Sequence, residues 1–275
     1  MLLPCSKKLL VDLIQNFVYT LYKEQLLNAY ALFNVERINN MLLQFFRTLT
    51  SGAQLDSDYL LTLMVSLVAL AIVLLCCLPV HEFAHAWMAT KLGDQTPRLS
   101  GRLTLNPFVH LDLWGTVMIL LVGIGYAKPV QVNPRNMRVG SKKGLALTAL
   151  AGPVSNIILS FILLLISKIL LYSFGNSDAL LIFIIIAVFE VAATVNVTLA
   201  AFNLLPLPPL DGFNILQMFL PQEALEFVSR YHTYIRYALL AMVFFGWFTG
   251  PITWLGNLFF SGINWLANLP FVLLG

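Results

Sequence analysis

The chain has 275 residues, of which 59% are apolar and 11% charged, with a net charge of +3 and a mean hydropathy of +0.83. Charge at about half the usual globular share excludes an ordinary water-soluble domain and predicts a multi-pass membrane protein. The small basic excess does not imply a nucleic-acid partner, because the basic residues cluster in loops between apolar runs, where membrane topology already accounts for them.

Met1 to Ala53 scatters Lys7, Asp12, Lys23, Glu24, Glu36, Arg37 and Arg47 among Leu, Phe and Tyr. That mixture is too polar to span and suits amphipathic helices lying on the membrane, so residues 1–58 are expected to form an N-terminal extension. Lys7 and Lys8 are not followed by an apolar stretch with a small-residue cleavage site, which argues against a signal peptide. Cys5, Cys76 and Cys77 have no zinc-binding spacing and read as small buried hydrophobes.

From Leu60 to about Leu92 the only strong break is Pro79, and Gly93 closes the run. At ~1.5 Å per residue this helix exceeds the ~30 Å hydrocarbon core, so its last turns should lie toward one membrane face. There the sequence reads His81-Glu82-Phe83-Ala84-His85. Histidines four apart on a helix share a face and can reach one tetrahedral ion, while Glu82 sits where a carboxylate can take a proton from water activated by that ion. At this composition the pattern would arise by chance about once in a thousand such chains.

A loop with Lys91, Arg98 and Arg102 leads to the apolar stretch Leu113 to Tyr126, and a second loop carries Lys128, Arg135, Arg138, Lys142 and Lys143. Were the stretch to cross the membrane, the two basic loops would face opposite sides, against the positive-inside rule. It is also short and holds Gly115, Gly123 and Gly125, which predicts a re-entrant hairpin or sheet. Both loops, and the His81 end of the first span, are then expected on the cytoplasmic side.

Leu145 to Tyr172 reads as a span, Ser173 to Asp178 as a short outer turn, and Ala179 to Phe202 as the returning span. Three prolines within Asn203-Leu-Leu-Pro-Leu-Pro-Pro-Leu-Asp211-Gly212 then break the helix near the inner surface. Tyr237 to Phe248 and Ile252 to Leu274, separated by Gly250-Pro251, are expected to form a terminal hairpin or two spans. A site with two histidines from one helix needs a third protein ligand. Asp178 falls on the outer turn and Glu190 deep in a span, whereas Asp211 shares the depth of His81 and His85. Depth therefore selects Asp211, although Asp is also a common helix N-cap.

His85 and its neighbours combined with the downstream NLLPLPPLDG resemble the site-2 protease family of intramembrane zinc metalloproteases. Leu92-Gly-Asp94, Gly101-Arg-Leu-Thr-Leu-Asn-Pro107, Ala127-Lys-Pro-Val-Gln-Val-Asn-Pro134 and Ala151-Gly-Pro-Val-Ser-Asn156 are similar to its compact group without PDZ or CBS domains. The resemblance runs from about Leu60 to Met218; at Leu113-Trp114 the chain departs from the proline common in the family.

The resemblance implies an all-α, multi-pass helical bundle with a re-entrant hairpin or sheet and a proline-broken helix carrying a metal ligand. In it, residues 59–220 would form the protease core; residues 221–275, which the resemblance does not assign, are expected from their own apolar runs to form a C-terminal helical hairpin. It implies Zn2+ bound by His81, His85 and Asp211, with Glu82 as general base and acid. Asn203 would hold the substrate backbone or the oxyanion. The substrate would be the transmembrane segment of a membrane protein in the bilayer, cut in regulated proteolysis, often after an upstream site-1-type protease. His110 and Asn156 are further candidates near the substrate; each also reads as a local or interhelical hydrogen-bond partner. Glu190 and Asn196 read as a substrate or water path, or as a structural pair facing the bundle. The rival function is a non-catalytic membrane scaffold or transporter-like homologue.

Overall fold

The computed structural model describes residues 57–116, 127–174 and 179–274. Residues 1–56 of the N-terminal extension, most of the proposed re-entrant stretch and residues 175–178 of the expected outer turn lie outside these, while Ser173 and Phe174 belong to a helix. The described residues form helices α1 (Ser57–Ile72), α2 (Leu78–Lys91), α3 (Thr96–Leu99), α4 (Pro107–His110), α5 (Ser141–Phe174), α6 (Leu180–Asn203), α7 (Asp211–Leu216), α8 (Gln222–Phe244) and α9 (Thr249–Leu274). They contain no strand, only an isolated antiparallel bridge between Leu111 and Ala127.

α1 and α2 form one rod, joined by a π-helical turn at Val73–Cys77. The turn has a local cause in Pro79, whose ring would collide with the carbonyl four residues earlier and which offers no N–H. Widening the turn just ahead of it absorbs the misfit without breaking the helix. Among the described residues, three helical stretches are long and apolar enough to cross a membrane, Leu63–Lys91, Ser141–Phe174 and Leu181–Asn203, matching the runs read at Leu60–Leu92, Leu145–Tyr172 and Ala179–Phe202.

α5 is the hub, with α2, α6, α7 and α9 all packed against it. The α5–α6 contact is close because α6 offers small residues, with Ala192, Ala193, Ala200 and Ala201 fully buried. In lipid, such small side chains let backbones approach and gain packing that apolar area alone does not supply. The main apolar cluster joins Ala69, Val73 and Cys77 to Leu163 and Leu164 of α5, Val188 and Val197 of α6, and Phe260 and Ile263 of α9. Only Cys77 of the adjacent cysteines is buried; Cys76 faces outward, one residue round the helix, so its expected burial is corrected.

Two further expectations change. Glu190 does not pair with Asn196. Its carboxylate meets Lys168 Nζ of α5 at 3.6 Å and accepts a hydrogen bond from Ser167, while Asn196 donates to Ala192 of its own helix. The C-terminal helices also divide differently. α8 begins at Gln222, well before the apolar run from Tyr237, and Gly250-Pro251 falls in the first turn of α9, where proline forfeits no helical hydrogen bond.

Candidate metal centre

Asp211 reaches the histidines because the proline turn is pinned. A small cluster of Leu205, Leu210 and Leu239, with Phe202, Leu207, Phe248 and Ile252 around it, seats the segment between α6 and α7. Gly212 allows the close approach: a Cβ there would lie 2.3 Å from the Leu204 carbonyl oxygen and 2.4 Å from that of Leu205. Asp211 thus opens α7 directly below the end of α6, facing α2.

His81 and His85 are both buried on α2, four residues apart, with their Nε2 atoms 3.0 Å from each other. Asp211 Oδ2 lies 3.4 Å from His81 Nε2 and 3.3 Å from His85 Nε2. A tetrahedral zinc with bonds of about 2.0–2.1 Å has ligand–ligand edges of about 3.3–3.4 Å, so the triangle has the size such an ion requires.

The protonation pattern points the same way. His85 Nδ1 lies 2.7 Å from the Thr148 carbonyl oxygen of α5, which can only accept, so Nδ1 carries the proton and the Nε2 lone pair faces the other two atoms. The Asp211 Oδ2 atom is buried and receives no hydrogen bond. Acceptors converging in an apolar bundle call for a cation between them. These residues fit zinc.

Gly152 completes the wall. A Cβ on it would sit 2.4 Å from His85 Nε2 and 2.6 Å from His81 Cε1, so only glycine lets α5 approach the imidazoles this closely. Neither Gly152 nor Thr148 follows from the sequence by metal chemistry, though the Ala151-Gly-Pro run marked the place. Glu82 is half-buried beside His81 and makes no hydrogen bond or ion pair with another described residue.

The remaining candidates are not drawn into the triangle. Asn203 is half-buried at the end of α6 and donates to the Leu199 carbonyl at 3.0 Å. His110 is fully buried in α4 with Nε2 2.8 Å from the Thr104 carbonyl oxygen, a local partner of the kind its loop position allowed. Asn156 is buried one turn beyond Gly152 on the same face of α5, and its Oδ1 has no partner among the described residues.

Two imidazoles and a carboxylate gathered inside an apolar bundle are the mark of a membrane-embedded metalloprotease. Comparison with known proteins makes the assignment particular: residues 69–177 and 169–246 match the model of peptidase family M50, and the chain belongs to that family, the site-2 proteases. It is 43% identical over 154 residues to the "Putative zinc metalloprotease YwhC" of Bacillus subtilis, covering 55% of this chain and 69% of that one. It is 33% identical over 201 residues to the "Putative zinc metalloprotease Rip2" of Mycobacterium tuberculosis, covering 69% of this chain and 73% of that one. No solved structure matches the chain. The protein is an integral-membrane zinc metalloprotease, and the scaffold or transporter reading is set aside.

Proposed function

We propose that this M50 member is an intramembrane endopeptidase that cuts a peptide bond within the transmembrane segment of a membrane-protein substrate during regulated proteolysis. In this reading His81, His85 and Asp211 hold the zinc. The observation that carries it is the triangle of 3.0, 3.3 and 3.4 Å edges set among apolar helices. When bound there, zinc supplies Lewis acidity, lowering the pKa of water to about 7 and polarising the scissile carbonyl.

The chain's own groups do the rest. Glu82, next to His81 and without a hydrogen bond or ion pair to another described residue, takes the proton of the attacking water and returns it to the departing amine nitrogen. The Thr148 carbonyl keeps the His85 ring turned with Nε2 toward the site. Asn203 holds the substrate backbone or the oxyanion, and His110 and Asn156 support the substrate side more distantly.

A substrate helix must be unwound before it can be cut, and its freed backbone groups then need partners that lipid lacks. The re-entrant stretch after Leu111 supplies an edge for this purpose. The antiparallel bridge from Leu111 to Ala127, with Lys128 N–H donating to the His110 carbonyl at 2.8 Å, supports a segment that returns to the face it left.

Orientation follows from charge. His85 lies six residues before Lys91, about 9 Å along the helix, and α5 runs antiparallel from Lys142 and Lys143 at the same end. Trp87 and Lys91, in contact at 4.6 Å, are the residue types that anchor a helix at a membrane interface. The basic end is cytoplasmic by the positive-inside rule, and the active site opens toward it. An upstream site-1-type cut prepares the substrate, and residues 59–220 form the protease core between extension and C-terminal hairpin.

The test is cleavage of a panel of tagged single-span membrane proteins by the wild type and by Glu82→Gln, with zinc measured in both. Zinc retained at one per chain with cleavage reduced at least 100-fold is expected. Equal cleavage by the variant would remove Glu82 from its role.

A further inference from the structure

The motif Leu92-Gly-Asp94 is left unused by the chemistry above, yet Asp94 is fully buried just beyond the metal-bearing helix. Its carboxylate has four donors. Oδ1 accepts from the Thr96 amide at 3.0 Å, the Thr96 hydroxyl at 2.6 Å and Asn136 Nδ2 at 3.2 Å, and Oδ2 accepts from the Asn133 amide at 2.7 Å. Two of these donors lie about forty positions away, in the loop between Ala127 and α5. Next to them Arg138 N–H donates to the Leu92 carbonyl at 2.9 Å, and Met137 is buried against Gly144 at the start of α5.

That loop is therefore fastened at both ends. Its start is tied to α4 through the Leu111–Ala127 bridge and the Lys128 amide, and α4 packs on α2. Its far end is tied to the tip of α2 through Asp94. Between the fasteners runs Lys128-Pro-Val-Gln-Val-Asn-Pro134, in which each residue before a proline is driven to extended backbone. Asn133 shows this directly, at φ −108 and ψ 97. Val130 and Val132 are half-buried and Gln131 is exposed, the alternation of a one-sided strand, and none of the three makes a hydrogen bond among the described residues. An extended arm that runs from α4 to the tip of the metal-bearing helix, its amides and carbonyls unpartnered among the described residues, is suited to pair with an extended peptide.

We infer that Asp94 is a positioning residue for proteolysis: its four hydrogen bonds lock the Lys128–Asn133 arm in register with the metal helix, so that the arm can hold an extended substrate backbone across His81, His85 and Asp211. The inference rests on the proposed function. Asparagine cannot replace the carboxylate, since it has one acceptor oxygen for donors that approach from two sides. The locking enters substrate affinity and leaves metal affinity alone.

The test uses purified, zinc-loaded full-length protein in detergent and two metal-directed probes, acetohydroxamate and an extended peptidyl hydroxamate. The first engages only the metal, and the second also presents a peptide backbone. Asp94→Asn and Asp94→Ala are expected to weaken peptidyl hydroxamate binding about tenfold or more relative to wild type. Acetohydroxamate binding and zinc content stay the same, and amide exchange rises at Asn133 and Arg138 but not in α2. Unchanged peptidyl hydroxamate binding would overturn the inference. So would parallel loss of both probes together with zinc, which would make Asp94 a mere support of the helix. If the wild type binds neither hydroxamate, it is the metal-centre reading that fails, a result distinct from either of these.

Discussion

Gly152→Ala isolates the close approach of α5 to the metal ligands. The added methyl would sit 2.4 Å from His85 Nε2, whereas ordinary contact begins at 3.4 Å, so either the helix or the rings must give by about 1 Å. The His85 ring has little room to turn, because its Nδ1 is held at 2.7 Å by the Thr148 carbonyl one turn earlier on the same helix. Displacement of a ligand by about 1 Å is half a metal–nitrogen bond, and misplacements of that size cost about 100-fold in rate. Alanine in a helix interior is meanwhile favoured over glycine by about 1 kcal/mol, so the bundle itself should not weaken from loss of propensity. The expected outcome is a folded, helical protein with zinc affinity reduced 10- to 100-fold and cleavage reduced at least 100-fold. Zinc titration, thermal unfolding followed by circular dichroism, and the cleavage assay measure these separately. A Gly152→Ala protein that binds zinc with wild-type affinity would refute the packing argument.

The buried pair of Lys168 and Glu190 gives a stability prediction: Glu190→Gln removes the charge facing Lys168 and should destabilise the bundle by about 3 kcal/mol, while Lys168→Met with Glu190→Leu recovers most of it, as read from thermal unfolding in detergent. Asp94 gives a pH prediction: burial alone would push its carboxyl up, but hydrogen bonds from Thr96, Asn133 and Asn136 hold it below the ordinary carboxylate range. A group depressed on folding stabilises above its unfolded pKa and loses that contribution as pH falls through its folded one, so amide protection at Asn133 should persist at neutral pH and fade only below about pH 4, and Asp94→Asn should abolish the dependence. Chelation by 1,10-phenanthroline should stop cleavage and leave helicity unchanged, since the main apolar cluster does not involve the metal ligands, and added zinc should restore activity.

What the sequence makes legible here follows from the bilayer. A span must be long and apolar, so the α1–α2 rod, α5 and α6 stand out. Ionisable groups at such depth are costly, so His81, His85 and Asp211 could be matched by depth although Asp211 is 126 residues beyond His85. The same logic, applied to Lys168 as well as to Glu190, would have found their pairing. Close approach is different, because the spaces beside Gly152 and Gly212 are properties of facing backbones, and glycine in an apolar run carries no sign of which neighbour it admits. The start of α8 was hidden for another reason: Gln222 to Arg236 is charged and polar, and an amphipathic helix of that kind leaves no apolar run to mark its first turn.

X-ray absorption at the zinc edge of the purified protein tests the centre most directly. One zinc per chain is expected, with only nitrogen and oxygen neighbours at about 2.0–2.1 Å, the imidazole signature of two histidines, and loss of the metal in Asp211→Ala. Sulfur neighbours at about 2.3 Å, or a full complement of zinc in Asp211→Ala, would contradict the assignment of His81, His85 and Asp211 as the ligands.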